Sequence, residues 1–315
     1  MSAPIPVTVI TGFLGAGKST LLERWLQQLP REQTAVIINE QGKIGIDGDL
    51  LAERAARLRE ITGGCVCCQA QAELDAALAE FAHASPPPTR ILVETSGAAS
   101  PSGVIRALTL GSARDRLRLD GIVTVLDAAR VERALQFDLT TEQLGFADVV
   151  VLSHVDECDP QAVRAVEHRI APLAPTASLA RAMRGDLQDG ASLLELLASR
   201  STVLRPLPEH APSTTRHGID SVSLRVPGAL DEDRFSEWVE SALGAIQARV
   251  LRVKGILAVH GVDERVIVQG VGEAIEVTLG PAWGDAERSS RLVVLGLDLD
   301  PPALQQGFEA CASTP

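Results

Sequence analysis

Eight consecutive residues carry the clearest chemistry in the chain. Gly12 to Ser19 read Gly-Phe-Leu-Gly-Ala-Gly-Lys-Ser, a complete match to G-x-x-x-x-G-K-[ST]. Gly12, Gly15 and Gly17 let the backbone curl so that successive N–H groups point at phosphate oxygens, and Ala16 and Thr20 belong to the same contact set. Lys18 places a point charge at the β- and γ-phosphates, and the Ser19 hydroxyl can bind Mg²⁺. A helix starting here adds the partial positive charge of its N-terminus. Residues of these types at this spacing bind a nucleoside triphosphate.

A second cluster is softer chemistry. Gly63 to Cys68 place Cys65 and Cys67 two residues apart with Cys68 adjacent, too close for a relaxed disulfide between neighbours. Thiolates packed this tightly repel one another, so a cation is the natural way to hold them. Zn²⁺ suits sulfur ligands in a tetrahedral site, with Cu(I) as the chemical competitor. Three sulfurs leave one position open, which suits a metal that must leave as well as arrive. Of the other two cysteines, Cys311 follows Leu304 and Phe308 at helical spacing and reads as core. Cys158 sits in the polar stretch Asp156 to Pro160 and has no assigned role.

Both clusters need a frame that positions them. The apolar run from Pro6 to Thr11 reads as a strand entering the phosphate loop, and Thr20 to Leu29 as an amphipathic helix leaving it. Further strands are expected at 35–39, 91–95, 122–126 and 149–152, rich in Val and Ile and apolar on both faces. Between them, 70–84 is helical, with Leu74, Leu78 and Phe81 on one face. Alternating strands and helices predict a parallel sheet wrapped by helices over residues 1–204. The Pro- and Ser-rich segment 205–216 reads as a linker. Beyond it, 217–315 predicts a small α+β domain with a mostly antiparallel sheet: strands at 221–226, 250–259, 265–270, 274–279 and 292–297, helices at 232–246 and 302–312.

Composition narrows the class. The 315 residues are 45 % hydrophobic, enough for two sizeable cores, with no apolar run long enough to span a bilayer. No basic region followed by an apolar stretch opens the chain, so no signal peptide is expected. A formal charge of −12 argues against a nucleic-acid partner, and six Phe, three Trp and no Tyr leave few platforms for stacked bases. Five cysteines, three of them within four residues, suit a reducing cytoplasm. A homo-oligomer is compatible with the sequence.

Together these features resemble the CobW-like family of P-loop GTPases, which deliver metal ions, chiefly zinc, to client proteins. The family's T-G-F-L-G-(A/S)-G-K-(S/T)-T loop is Thr11 to Thr20 here. Its N-E-F-G-E-x-G-I-D segment is Asn39 to Asp47, its G-G-C-(I/V)-C-C is Gly63 to Cys68, and its strand ending E-T-(S/T)-G is Glu94 to Gly97. Arg252 to Leu257 and the stretch from Trp283 to Gly296 resemble the family's C-terminal domain.

The resemblance implies an α/β P-loop GTPase domain with a smaller C-terminal domain, and GTP, Mg²⁺ and Zn²⁺ as ligands. It puts Glu94 at the Mg²⁺ hydration shell, so that Lys18 and Glu94 are the catalytic candidates. Gly97 would approach the γ-phosphate, and Glu40 and Asp47 would flank a loop that senses it. Cys65, Cys67 and Cys68 would hold zinc for a client metalloprotein docking on the C-terminal sheet. The base-reading N-K-x-D pattern appears as Ser153, His154, Val155 and Asp156. Asp156 can accept from guanine N1–H and the N2 amine, donors that adenine lacks. Ser153 keeps only a hydroxyl for a supporting contact, and the His154 imidazole can stack on the base.

Two further departures stand out. Gln41 and Lys43 replace the usual Phe and Glu, and only His210 and His217 precede the C-terminal domain where relatives carry a His-rich tract. Cobalt delivery for cobalamin synthesis and activation of a metal hydratase are alternatives within the family. A nucleotide-regulated scaffold with structural zinc and an ATP-dependent kinase are alternatives outside it.

Overall fold

A computed structural model describes residues 3–39, 55, 57–61, 67–188, 190, 192–199, 219–244, 250–271 and 274–313. The chain divides into two compact units: Met1–Ile170 with Ala177–Ala198, and Ala171–Thr176 with Ser199–Pro315. The expected linker 205–216 lies outside the described residues.

The first unit is built on eight strands: β1 (Ile5–Thr11), β2 (Thr34–Asn39), β3 (Arg57–Ile61), β4 (Arg90–Glu94), β5 (Leu117–Asp127), β6 (Val149–Ser153), β7 (Ser178–Met183) and β8 (Asp186–Leu187). They lie in the order β3-β2-β4-β1-β5-β6-β7-β8, every pair parallel except β7 with β8. The expected parallel sheet is therefore present. Its central strands are covered on both faces, which is why they read as nearly continuous apolar runs. Val7, Val9, Ile10, Val36, Leu92, Val123 and Val151 are wholly buried. The helices used below are α1 (Lys18–Leu26), α2 (Cys67–Ala82) and α3 (Ser102–Leu110). Leu21, Leu22, Trp25 and Leu26 of α1 pack into the core that Val36, Leu92, Val125 and Val151 share.

Register sets the geometry of the site. Ile10 lies opposite Glu94, Thr11 opposite Thr124, and Asp127 opposite Ser153. The carboxyl ends of β1, β4, β5 and β6 thus come side by side, the edge at which parallel α/β sheets bind ligands. Beyond the ends, the Thr95 amide donates to the Ile10 carbonyl at 2.9 Å and the Thr95 hydroxyl to that of Thr11 at 2.9 Å, fastening the β4 exit to the phosphate loop's root.

The second unit is a five-stranded sheet of β9 (Ile219–Pro227), β10 (Val250–Leu257), β11 (Glu264–Val271), β12 (Ala274–Ala282) and β13 (Ser289–Leu297), ordered β12-β11-β10-β13-β9 with every pair antiparallel. Trp238 from the helix Glu232–Trp238 and Phe308 from the helix Pro301–Ala310 pack on it with Leu257 and Val294. Asp300 caps the latter helix through Ala303 N–H, and Pro301 and Pro302 occupy the first turn, where a missing N–H costs nothing. Cys311 is buried in this core, as its spacing predicted.

Several boundaries differ from expectation. The helix after the phosphate loop begins at Lys18 and ends at Leu26, because the loop's last residues already have helical geometry. The helix expected over 232–246 is α-helical only to Trp238 and continues as a π turn over Val239–Leu243. Strands β3, β7 and β8 were not anticipated. The sequence of β3, Arg-Leu-Arg-Glu-Ile, is charged because it lies at a sheet edge with partly exposed faces.

Candidate functional site: a phosphate loop and base cavity

The phosphate loop leaves β1 and turns into α1 through three residues of positive φ: Gly12 (+138°), Gly15 (+77°) and Gly17 (+90°). Gly17 is the N-cap of α1, so the helix N-terminus points its unpaired amides at the loop's concavity. Lys18 is nearly buried, and its Nζ donates to the Phe13 carbonyl at 3.3 Å, which folds the ammonium back over the loop. The loop also closes on itself, Ala16 N–H donating to Phe13 O at 3.2 Å.

At the foot of the loop the Ser19 hydroxyl donates to Glu94 Oε1 at 2.8 Å. Glu94 is 5 % exposed at the end of β4, a position for a carboxylate that serves a purpose other than solubility. A hydroxyl and a carboxylate are hard oxygen donors of the kind Mg²⁺ takes alongside phosphate and water, so this pair fits that ion. Gly97, three residues on, comes against the loop. A methyl there would lie 2.7 Å from Leu14 N and 2.8 Å from its Cα. The structure thus brings together Gly12, Gly15, Ala16, Gly17, Lys18, Ser19, Glu94 and Gly97.

On the other side of Gly17 lies a small cavity lined by Thr20, Leu21, Ser153, His154, Ala182, Arg184 and Gly185, among others. Ser153, expected among the nucleotide contacts, directs its hydroxyl to the Ala16 carbonyl at 2.7 Å and thereby braces the phosphate loop. His154 adopts left-handed backbone geometry, and Asp156 is exposed in the short 3₁₀ turn Val155–Glu157. Burial pushes the Cys158 thiol up, and the neighbouring carboxylates, Asp127 foremost, push it further.

Asp127, beside His154, carried no sequence signal of function, and neither did three residues that line the cavity, Ala182, Arg184 and Gly185. The last two form a left-handed turn at the end of β7, with φ of +50° and +83°. An X-Gly turn after a strand of a parallel sheet is a cue that could have located them.

The metal cluster stands differently. Cys65, Glu40, Gln41, Lys43, Asp47, His210 and His217 lie outside the described residues. Cys67 and Cys68 open α2, so they stand at a helix N-terminus, but their side chains also lie outside the description. Among the described residues no group of three or more His, Cys, Asp or Glu side chains could hold a metal, and no helix is long and apolar enough to cross a membrane.

A phosphate loop between β1 and α1, a buried carboxylate on the neighbouring strand and a base-side loop after β6 define a P-loop nucleotide-binding protein. Residues 6–181 match the family model described as CobW/HypB/UreG, nucleotide-binding domain, and residues 219–312 match the cobalamin synthesis protein cobW C-terminal domain. The chain belongs to the CobW/HypB/UreG family. It is 33 % identical to a protein of Pseudomonas aeruginosa named zinc chaperone CobW, over 96 % of this chain and 90 % of that one. It is 28 % identical to the zinc chaperone YjiA of Escherichia coli K12, covering 97 % and 98 % of the two chains. The crystal structure of Zn(II)-bound YjiA GTPase from E. coli superposes with a TM-score of 0.73 at 24 % identity, over 99 % of this chain and all of that one, which shows a shared fold.

Proposed function

We propose that this chain is a GTP-hydrolysing zinc chaperone that hands its metal to a client metalloprotein in a nucleotide-dependent way. The carrying observation is the Ser19–Glu94 hydrogen bond at the foot of the phosphate loop, in a chain whose relatives are named zinc chaperones. The loop amides and Lys18 would hold the β- and γ-phosphates, and Ser19 and Glu94 would hold Mg²⁺, which neutralises phosphate charge when bound. Asp156 would read guanine. No residue type in the sequence marks a group that positions the attacking water, so slow intrinsic turnover is expected. Zinc is the cargo, taken by Cys65, Cys67 and Cys68. The segment from Glu40 to Asp47 and the cysteine segment bracket β3 in sequence, so one ordering event on the γ-phosphate could bias both. The cysteine usage suits a cytoplasmic setting.

Chelator competition in the two nucleotide states tests this. One zinc per chain is expected, bound more tightly with GTP and Mg²⁺ than with GDP. A coupling of ~1–3 kcal/mol corresponds to roughly a 5- to 150-fold difference in zinc affinity. Thiolate ligation requires deprotonation, so zinc binding weakens as pH falls. Replacing the three cysteines by serine removes the site and leaves GTP binding intact. Equal zinc affinity with GTP and GDP would make the metal structural and sink the delivery mechanism.

A further inference from the structure

Asp127 belongs to no motif, yet it is 5 % exposed at the carboxyl end of β5, and register sets it opposite Ser153. Its Oδ1 accepts from the backbone N–H groups of Ala129 and Arg130, at 2.9 and 3.2 Å, and its Oδ2 from Arg130 Nη1 at 2.6 Å. The same Oδ2 lies 3.4 Å from His154 Nδ1. His154 is itself tightly placed. Its φ is +53°, a left-handed conformation uncommon for a residue with a side chain. Its Nδ1 is 3.0 Å from Ser153 Oγ, and its Cε1 is 3.6 Å from where a methyl on Gly17 would sit. The ring is thus a wall of the cavity that begins at the phosphate loop.

One hydroxyl proton decides how that ring is protonated. Ser153 Oγ gives its only proton to the Ala16 carbonyl, 2.7 Å away. Toward His154 the oxygen can then only accept, so the proton between them sits on Nδ1. The Asp127 carboxylate favours a proton on the same nitrogen. In the neutral imidazole this leaves Nε2 as an acceptor, whereas a lysine ammonium at this place could only donate.

We propose that Asp127 is a positioning residue of the base cavity: with Ser153 it holds His154 as the Nδ1–H tautomer and leaves Nε2 to accept from an N–H donor of a purine. This rests on the nucleotide-binding reading above for its ligand, but not for its tautomer. The base side of the site then recognises donors at two places, the Asp156 carboxylate and the His154 ring. Asp127→Asn is the informative change. Asparagine keeps a carbonyl oxygen to cap Ala129 and Arg130 but turns an amide N–H₂ toward His154, which favours the opposite tautomer.

Two-bond ¹H–¹⁵N spectra of the nucleotide-free parent in mildly alkaline buffer, with His154 assigned by loss of its signals in His154→Gln, should show a protonated Nδ1 and a bare Nε2. Asp127→Asn should shift the ring toward Nε2–H. It should also weaken a non-hydrolysable GTP analogue by roughly tenfold, the size of one neutral hydrogen bond. In a His154→Gln background the same change should cause no further loss, because the effect runs through the ring. An Nε2–H ring in the parent overturns the proposal, and so does an Asp127→Asn loss of the same size with and without His154. Failure of the parent to bind GTP at all would fall on the function, and the ring spectrum would still decide the tautomer.

Discussion

Replacing Gly12 by alanine is expected to disable the phosphate loop. The new methyl would lie 2.1 Å from the Val125 carbonyl oxygen, and its next neighbours are also Val125 backbone atoms. An ordinary C···O approach is about 3.3 Å, so one side must retreat by about 1.2 Å. Val125 cannot, because it is wholly buried in β5, which is paired on both sides by β1 and β6. The loop must move instead. Overpacking of this kind costs roughly 1–3 kcal/mol, and forcing a side chain onto a φ of +138° adds roughly 1–3 kcal/mol. A displacement near 1 Å in groups aimed at a ligand costs on the order of 100-fold in function. Gly15→Ala is the matched control: nothing lies within 4 Å of its added methyl, and only the φ of +77° resists. Its stability loss should be about 1–2 kcal/mol. Urea unfolding of both variants, with calorimetry of a non-hydrolysable GTP analogue, measures the difference. If Gly12→Ala is as stable as Gly15→Ala, or binds the analogue within about threefold of the parent, the steric reasoning is wrong.

Three other outcomes are expected. Arg90 pairs with Asp120 and donates to Thr8 Oγ1 at 3.1 Å, with 19 % and 14 % of the paired side chains exposed. Arg90→Ala should therefore cost about 2 kcal/mol in urea unfolding, moderated because Arg118 still reaches Asp120 at 3.2 Å; a loss under about 0.5 kcal/mol would mean that solvent screens the pair. Asp156→Asn should weaken GTP by roughly tenfold or more while ATP is unaffected, and a parallel loss for both nucleotides would refute guanine reading. The Cys158 thiol is raised by burial and then by Asp127 and the adjacent carboxylates, so less of it is thiolate at neutral pH. Its alkylation, followed by mass spectrometry, should be slower than that of free cysteine, climb with pH, and speed up in Asp127→Asn; a rate above free cysteine contradicts this environment.

What could be read from the sequence follows how local each feature is. The phosphate loop is legible because its glycines, lysine and serine are contiguous and its strand and helix adjoin it. The central strands are legible because burial on both faces leaves them mostly Val, Ile and Leu, with few polar positions. Strand β3 is not, since an edge strand of Arg-Leu-Arg-Glu-Ile has the composition of a solvated loop. Strand β7 escapes for a related reason: Arg181 reaches back to Glu167 at 2.7 Å, so its charge marks a pair with the preceding helix and hides a strand. Asp127 is the instructive omission. Read along the chain, Leu126-Asp127-Ala128 is an acidic residue ending a strand, one among 41 carboxylates and indistinguishable from an N-cap. It is an N-cap, for Ala129 and Arg130. Only the β5–β6 register, joining residues 26 apart in sequence, gives its second oxygen a view of His154.

The exchange of lysine for histidine in the base-side loop therefore has a meaning that no local motif conveys. A lysine needs no partner to keep its charge, whereas an imidazole must be told which nitrogen holds the proton. Ser153, with its hydroxyl committed to the phosphate loop, and Asp127, held by two amides and a guanidinium, would supply that instruction at the same ring nitrogen. The three residues form one unit: serine in place of asparagine leaves an acceptor for the ring, histidine uses it, and the aspartate of the adjacent strand holds the arrangement. A lysine at position 154 could pair its ammonium with Asp127, and the base side would then present only a donor where the His154 ring presents an acceptor.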